Sequence, residues 1–186
     1  MTPAISAVEV KETLPISQVT QLRDLAQNIQ DKALFQTYAK MVPVQRSLGL
    51  EHLLKNRDFF ESFKYSLAKA VAQTLGTNDR QVQTVYLFEP SVNPDAEAGE
   101  ELPLEATVHL LVVVSKHSAA LDAFIEALDQ GLTRCLNQMP LPFLVESRSI
   151  LNAVILTQEA VEQRQGYASL ISSILAPPFK LWEREA

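Results

Sequence analysis

The stretch Val108-His109-Leu110-Leu111-Val112-Val113-Val114 constrains this chain more than any other. Apolar residues occupy nearly every position of it, not every second one. A strand with one wet face alternates polar and apolar residues, whereas a run like this reads as a central strand covered on both faces. Residues 106–114 are therefore expected to sit in the middle of a sheet with other elements packed over it. A second strand is expected over 82–88, where Val82-Gln83-Thr84-Val85-Tyr86-Leu87-Phe88 is β-branched and aromatic.

Helical periodicity surrounds these strands. Val19, Leu22, Leu25, Ala26, Ile29 and Ala33 recur at three- and four-residue spacing from Ser17, and this helix should stop before Pro43. Leu48, Leu50, Leu53 and Leu54 suggest a short second helix. Asp58-Phe59-Phe60-Glu61 has the spacing of a capping box, with Phe60, Phe63, Leu67, Ala70, Val71 and Leu75 making one apolar face and Gly76 ending it. Ser118 should cap a further helix with the stripe Leu121, Phe124, Ile125, Leu128, Leu132, Cys135 and Leu136. Pro140 and Pro142 break it. Phe143 to Ser147 then reads as a third strand, 150–157 as a fourth strand or a short helix, and 158–175 as helix up to Pro177-Pro178. The expected architecture is α/β or α+β: a small mixed sheet of three or four strands flanked by helices. Residues 1–57 form a helical extension, and 58–186 form the core domain with a C-terminal helix and tail.

A chain of 186 residues fits one domain and can bury roughly 70% of its unfolded surface, so it needs no metal or disulfide staple. Its single cysteine, Cys135, excludes an internal disulfide and suits a reducing compartment, the cytoplasm. The first residues lack the basic and apolar regions of a secretory signal, and no apolar run approaches the ~20 residues that cross a bilayer, so no membrane partner is expected. The net charge of −6, with Lys and Arg scattered, argues against nucleic acid as a partner.

The segment Val85-Tyr86-Leu87-Phe88-Glu89-Pro90-Ser91, followed by Thr107-Val108-His109-Leu110-Leu111-Val112-Val113, resembles the minimal nucleotidyltransferase (polymerase-β-like) superfamily. In that family an apolar strand ends in Leu-Phe-Gly-Ser, a second strand reads Asp-x-Asp-Leu-Leu-Val, and a later strand supplies a third carboxylate. The glycine lets backbone approach a triphosphate, and the carboxylates hold two Mg²⁺ that clamp an in-line phosphoryl transfer. The resemblance covers roughly residues 60–150 as an order of elements and departs from the family at its motifs. Glu89-Pro90 replaces Gly-Ser, putting a bulky acid in the phosphate site and removing a backbone donor. Thr107 and His109 replace the two aspartates. They share one face of the strand, but neither offers the hard anionic oxygens that Mg²⁺ requires. The resemblance thus implies a pocket at Glu89, Ser91, Thr107, His109 and Glu146 without catalytic residues or cofactor, and only Glu146 could stand for a family carboxylate.

The resulting expectation is a non-catalytic binding or regulatory protein on a degenerate nucleotidyltransferase-like scaffold. One alternative is an active Mg²⁺-dependent enzyme whose carboxylates moved to Asp95, Glu97 and Glu146. Another is a structural subunit of a homo-oligomer. His109 alone in an apolar strand reads first as a core or pocket histidine, since His52 and His117 share no ligand spacing with it. The segment 89–105 carries six acidic side chains and no basic one, yet it lacks the ligand order and pivotal glycine of a calcium loop, so it reads as a solvated loop. Cys135 lies on an apolar stripe, where it behaves as a small buried hydrophobe. In the tail, Phe179 and Trp182 either close the core or anchor a protein partner or homodimer.

Overall fold

The computed structural model describes residues 16–41, 56–89, 106–139 and 147–185. Its centre is β2 (Val108–Val114). Val108, Leu110, Val112 and Val114 turn to one face and are buried in the larger core, while Leu111 turns to the other and is buried in a smaller one. The nearly unbroken apolar run is thus accounted for by two covered faces.

β1 (Val82–Leu87) lies antiparallel beside β2. β3 (Leu151–Thr157) lies parallel on its other side, and β4 (Phe179–Glu183) pairs antiparallel with β1. The mixed sheet has the order β3-β2-β1-β4. The ambiguous segment 150–157 is therefore a strand from Leu151 onward. Its local pattern is equally compatible with a short helix, and what decides is seven consecutive partners along β2, from Val108↔Leu151 to Val114↔Thr157.

Three long helices cover the larger core: α1 (Ile16–Met41), α2 (Arg57–Asn78) and α3 (Ala119–Asn137). The apolar face foreseen for α2 is buried throughout, including Phe60, Phe63 and Leu67, each worth about 1.5–3 kcal/mol of burial. Ala26, Ile29 and Ala33 of α1 belong to the same buried cluster. α1 and α3 approach closely enough that a Cβ at Gly131 would lie 2.8 Å from that of Ala26. α3 starts as expected, with the Ser118 hydroxyl accepting from Leu121 N at 3.2 Å.

Three expectations about element ends need correction. The cap of α2 is Asn56, whose Oδ1 accepts from Asp58 N at 2.8 Å and Phe59 N at 3.4 Å, so Asp58 is already inside the first turn. Gly76 does not end α2, which runs to Asn78. Glycine is there for space, because a Cβ would lie 2.3 Å from the ring of Trp182. The single helix expected over 158–175 is instead α4 (Gln158–Glu162), a turn in which Arg164 and Gly166 take φ of 53° and 52°, and a 3₁₀ helix (Gly166–Ser172). Left-handed backbone at two positions within three residues cannot continue a right-handed helix. These short elements cover the second face of the sheet, with Ala168 buried beside Leu111, Leu156 and Phe88.

The tail beyond Pro178 is a strand, and Trp182 packs inward on α2. Arg184 fastens this junction. Its Nη2 donates to Gly76 O at 2.8 Å and Asp79 O at 3.0 Å, and its Nε donates to Val82 O at 3.0 Å. The helix expected around 48–54, most of the acidic loop and nearly all of the strand expected at 143–147 lie outside the described residues. Ser147, which is described, is not in a strand.

Candidate functional site

β1 ends, and β2 and β3 begin, at the same end of the sheet, because β1 runs antiparallel to β2 and β3 runs parallel to it. Of the positions singled out by the sequence, Glu89, Thr107 and His109 lie at that end. Alternation sends Thr107, His109 and Leu111 to the face opposite the three long helices. The Thr107 hydroxyl donates to Ser149 O at 3.4 Å, tying the start of β2 to the turn that enters β3.

His109 is half-buried on the same face. Its register partner in β3 is Asn152, and the Asn152 amide nitrogen lies 3.0 Å from His109 Nδ1. An amide nitrogen only donates, so Nδ1 is the acceptor. The other side of the imidazole meets Phe88, with ring centroids 5.6 Å apart and planes at 58°. Phe88 in turn meets Tyr167 at 5.9 Å and 53°. Both are tilted arrangements within the range favoured by aromatic pairs. A row therefore crosses the sheet: Tyr167, Phe88, His109, Asn152. Phe88 is 8% exposed and closes the floor, while Tyr167 is 54% exposed and opens the row to solvent.

Of the pocket residues expected from the sequence, Thr107 and His109 stand together and Glu89 is exposed just past the end of β1. Ser91 and Glu146 lie outside the described residues, as do Asp95 and Glu97. Among the described residues, no three His, Cys, Asp or Glu side chains are placed to hold a metal ion. Sequence reasoning missed Asn152, Phe88 and Tyr167 as neighbours of His109. Asn152 carried a usable signal, as the one amide in the otherwise apolar Leu151-Asn152-Ala153-Val154-Ile155-Leu156. Tyr167 carried none, because the turn at Arg164 to Gly166 brings it over the sheet.

α3 sets the geometry of this end from the other face. Asp129 Oδ1 accepts from Ile150 N at 2.7 Å and Leu151 N at 2.8 Å, fixing where β3 begins. Asn137 exchanges two hydrogen bonds with the backbone of Ser147, at 3.0 and 3.3 Å. The register that pairs Asn152 with His109 is thus held from the helix side.

Cys135 lies elsewhere, in a groove of about 260 Å³ between α1 and α3 that Arg23 and Arg134 also line. Its thiol donates to Gln27 Oε1 at 3.4 Å. Burial pushes its pKa up, the Arg23 charge opposes this, and Asp31 adds to it. That suits a packed thiol, not an activated one. Among the described residues, no helix is long and apolar enough to cross a membrane.

In comparisons with known proteins, no family model, no curated protein and no solved structure matches this chain.

Proposed function

We propose that this chain is a non-catalytic binding or regulatory protein on a nucleotidyltransferase-like scaffold, with its ligand site at the Tyr167–Phe88–His109–Asn152 row. One observation carries the reading. Where the family's first two carboxylates belong, Thr107 and His109 are engaged with Ser149, Asn152 and Phe88. A surface of aromatic rings, an imidazole and an amide suits a flat, neutral ligand that stacks and hydrogen-bonds. It offers Mg²⁺ no cluster of hard anionic oxygens. The single cysteine supports a cytoplasmic setting.

Two measurements test this. With labelled nucleoside triphosphate and Mg²⁺, no incorporation into protein, RNA or a small acceptor is expected. Transfer that disappears in Glu146→Ala would overturn the non-catalytic reading. Neutral heteroaromatic fragments such as adenine and nicotinamide are expected to shift the ring signals of His109 and Tyr167 in proton NMR. Unmoved ring signals at millimolar fragment would remove the binding site.

A second reading, a homo-oligomer subunit, draws on a different surface. Ile174 and Leu175 are 96% and 98% exposed, and Phe179 is 59% exposed. Trp182 contributes little to such a surface, since it is packed on Gly76. This reading requires a melting temperature that rises with protein concentration.

A further inference from the structure

The two edges of the sheet are built differently. β4 follows Pro177-Pro178, carries the exposed pair Lys180 and Glu183 (2.8 Å apart), and pairs with β1 through a register shift at Val85/Tyr86. Proline, edge charges and a bulge are the devices that keep other strands from adding to an edge. β3 has none of them. Leu151-Asn152-Ala153-Val154-Ile155-Leu156-Thr157 carries no proline and no charge, and its register along β2 is unbroken.

The free backbone groups of β3 follow from the register. Val108 N donates to Ile150 O at 2.7 Å. In a parallel ladder with this register, the N–H and C=O groups of Asn152, Val154 and Leu156 turn toward β2, and those of Ala153 and Ile155 turn outward. At Leu151 the outward N–H is already taken by Asp129. Ala153 and Ile155 have no hydrogen-bond partner on that side among the described residues. A groove of about 270 Å³ runs along this edge between β3 and α3. Ile125, Ala153 and Ile155 give it an apolar floor, and Asp122, Glu126 and Asp129 line its α3 side. Asp129 is committed to the backbone of β3, and Asp122 faces His117 at 2.9 Å. Glu126 meets only Gln130, at 3.5 Å, and has no cation beside it among the described residues.

We infer that the outer edge of β3 is a docking site for an extended, cationic peptide segment of a partner protein, which adds as a fifth strand. Backbone pairing at Ala153 and Ile155 supplies the attachment. Alternate apolar side chains lie on Ile125 and Ile155, and a Lys or Arg reaches Glu126. The charge of the occupant follows from this acidic wall and from the net charge of −6. The site lies on the α3 side of β3, and of the aromatic row only Asn152 borders its groove, so it can fail while the proposed function stands.

The test uses the full chain and a blocked peptide, acetyl-(Lys-Val)₄-amide, followed by two-dimensional NMR of labelled protein. Saturable shifts at Ala153 and Ile155 are expected. N-methylating every peptide nitrogen should abolish them, because neither edge of the peptide then keeps a donor to pair with β3. Glu126→Lys should weaken binding roughly fivefold, the scale of reversing one exposed ion pair. Ala153→Pro removes an outward donor without touching the β2 ladder and should remove binding with little change in melting temperature. The inference is overturned if the shifts are absent at millimolar peptide, or if the N-methylated peptide binds as well. If Ala153→Pro does not fold, the N-methylated peptide still decides.

Discussion

Replacing Gly76 with alanine should destabilise this protein, although the same change in most helices stabilises them. Gly76 lies inside α2 without a left-handed backbone, so alanine fits its conformation and should gain about 1 kcal/mol of helix propensity. The obstacle is Trp182. The added Cβ would lie 2.3 Å from Cζ2 and 2.4 Å from both Cε2 and Cη2 of the indole. Carbon atoms pack at about 3.5–4 Å, so the ring has to move by more than an ångström. The Arg184 guanidinium lies over the ring, 5.3 Å from its centre, and is itself fixed by three carbonyls. Overpacking of this kind costs about 1–3 kcal/mol, and the confined ring places it near the upper end. The net expectation is a loss of about 2 kcal/mol, or a melting temperature lower by about 4–8 °C. In Trp182→Ala the obstacle is gone, and the second change, Gly76→Ala, should then stabilise by about 0.5–1 kcal/mol. Urea unfolding followed by circular dichroism of the four proteins in this cycle gives both numbers. The single tryptophan adds a direct readout, since its emission should shift to the red in Gly76→Ala. A stabilising Gly76→Ala in the parent, or an equal loss in both backgrounds, would refute the reasoning.

Other outcomes follow from the same contacts. Arg184→Lys should cost about 2 kcal/mol in urea unfolding, because an ammonium cannot reach three carbonyls in the fork that guanidinium provides. Asp129→Ala should cost about 2–4 kcal/mol and speed hydrogen exchange at Ile150 and Leu151, whereas Asp129→Asn keeps an acceptor and should recover part of the loss. Cys135 should react with iodoacetamide at pH 8 far more slowly than a free thiol, since burial raises its pKa. Its contribution to stability has the matching sign. The unfolded thiol ionises first, so that contribution is full below the unfolded pKa and is lost as pH rises through the folded one, which urea titrations at stepped alkaline pH would register.

What the sequence alone determined is what local chemistry can encode. The run 108–114 required two covered faces, and the stripes from Phe60 to Leu75 and from Leu121 to Leu136 required one covered face each. Side-chain periodicity is a property of neighbours along the chain, so these elements and the mixed α/β class could be read directly. Thr107 and His109 could likewise be placed on one face by counting to two. The remainder depended on contacts between distant segments. The 158–175 segment has helical spacing along its length, and only the left-handed Arg164 and Gly166 turn it back over the sheet. Nothing local made 151–157 a strand parallel to β2. The register is imposed by β2 itself and by Asp129 on α3, and that register puts Asn152 beside His109. Gly76 looked like a helix stop because glycine commonly serves as one. Only the arrival of Trp182, more than a hundred residues later, shows that the missing Cβ makes room for a ring. A pair like that has no signature in either segment, since each residue is ordinary until the fold brings the other against it.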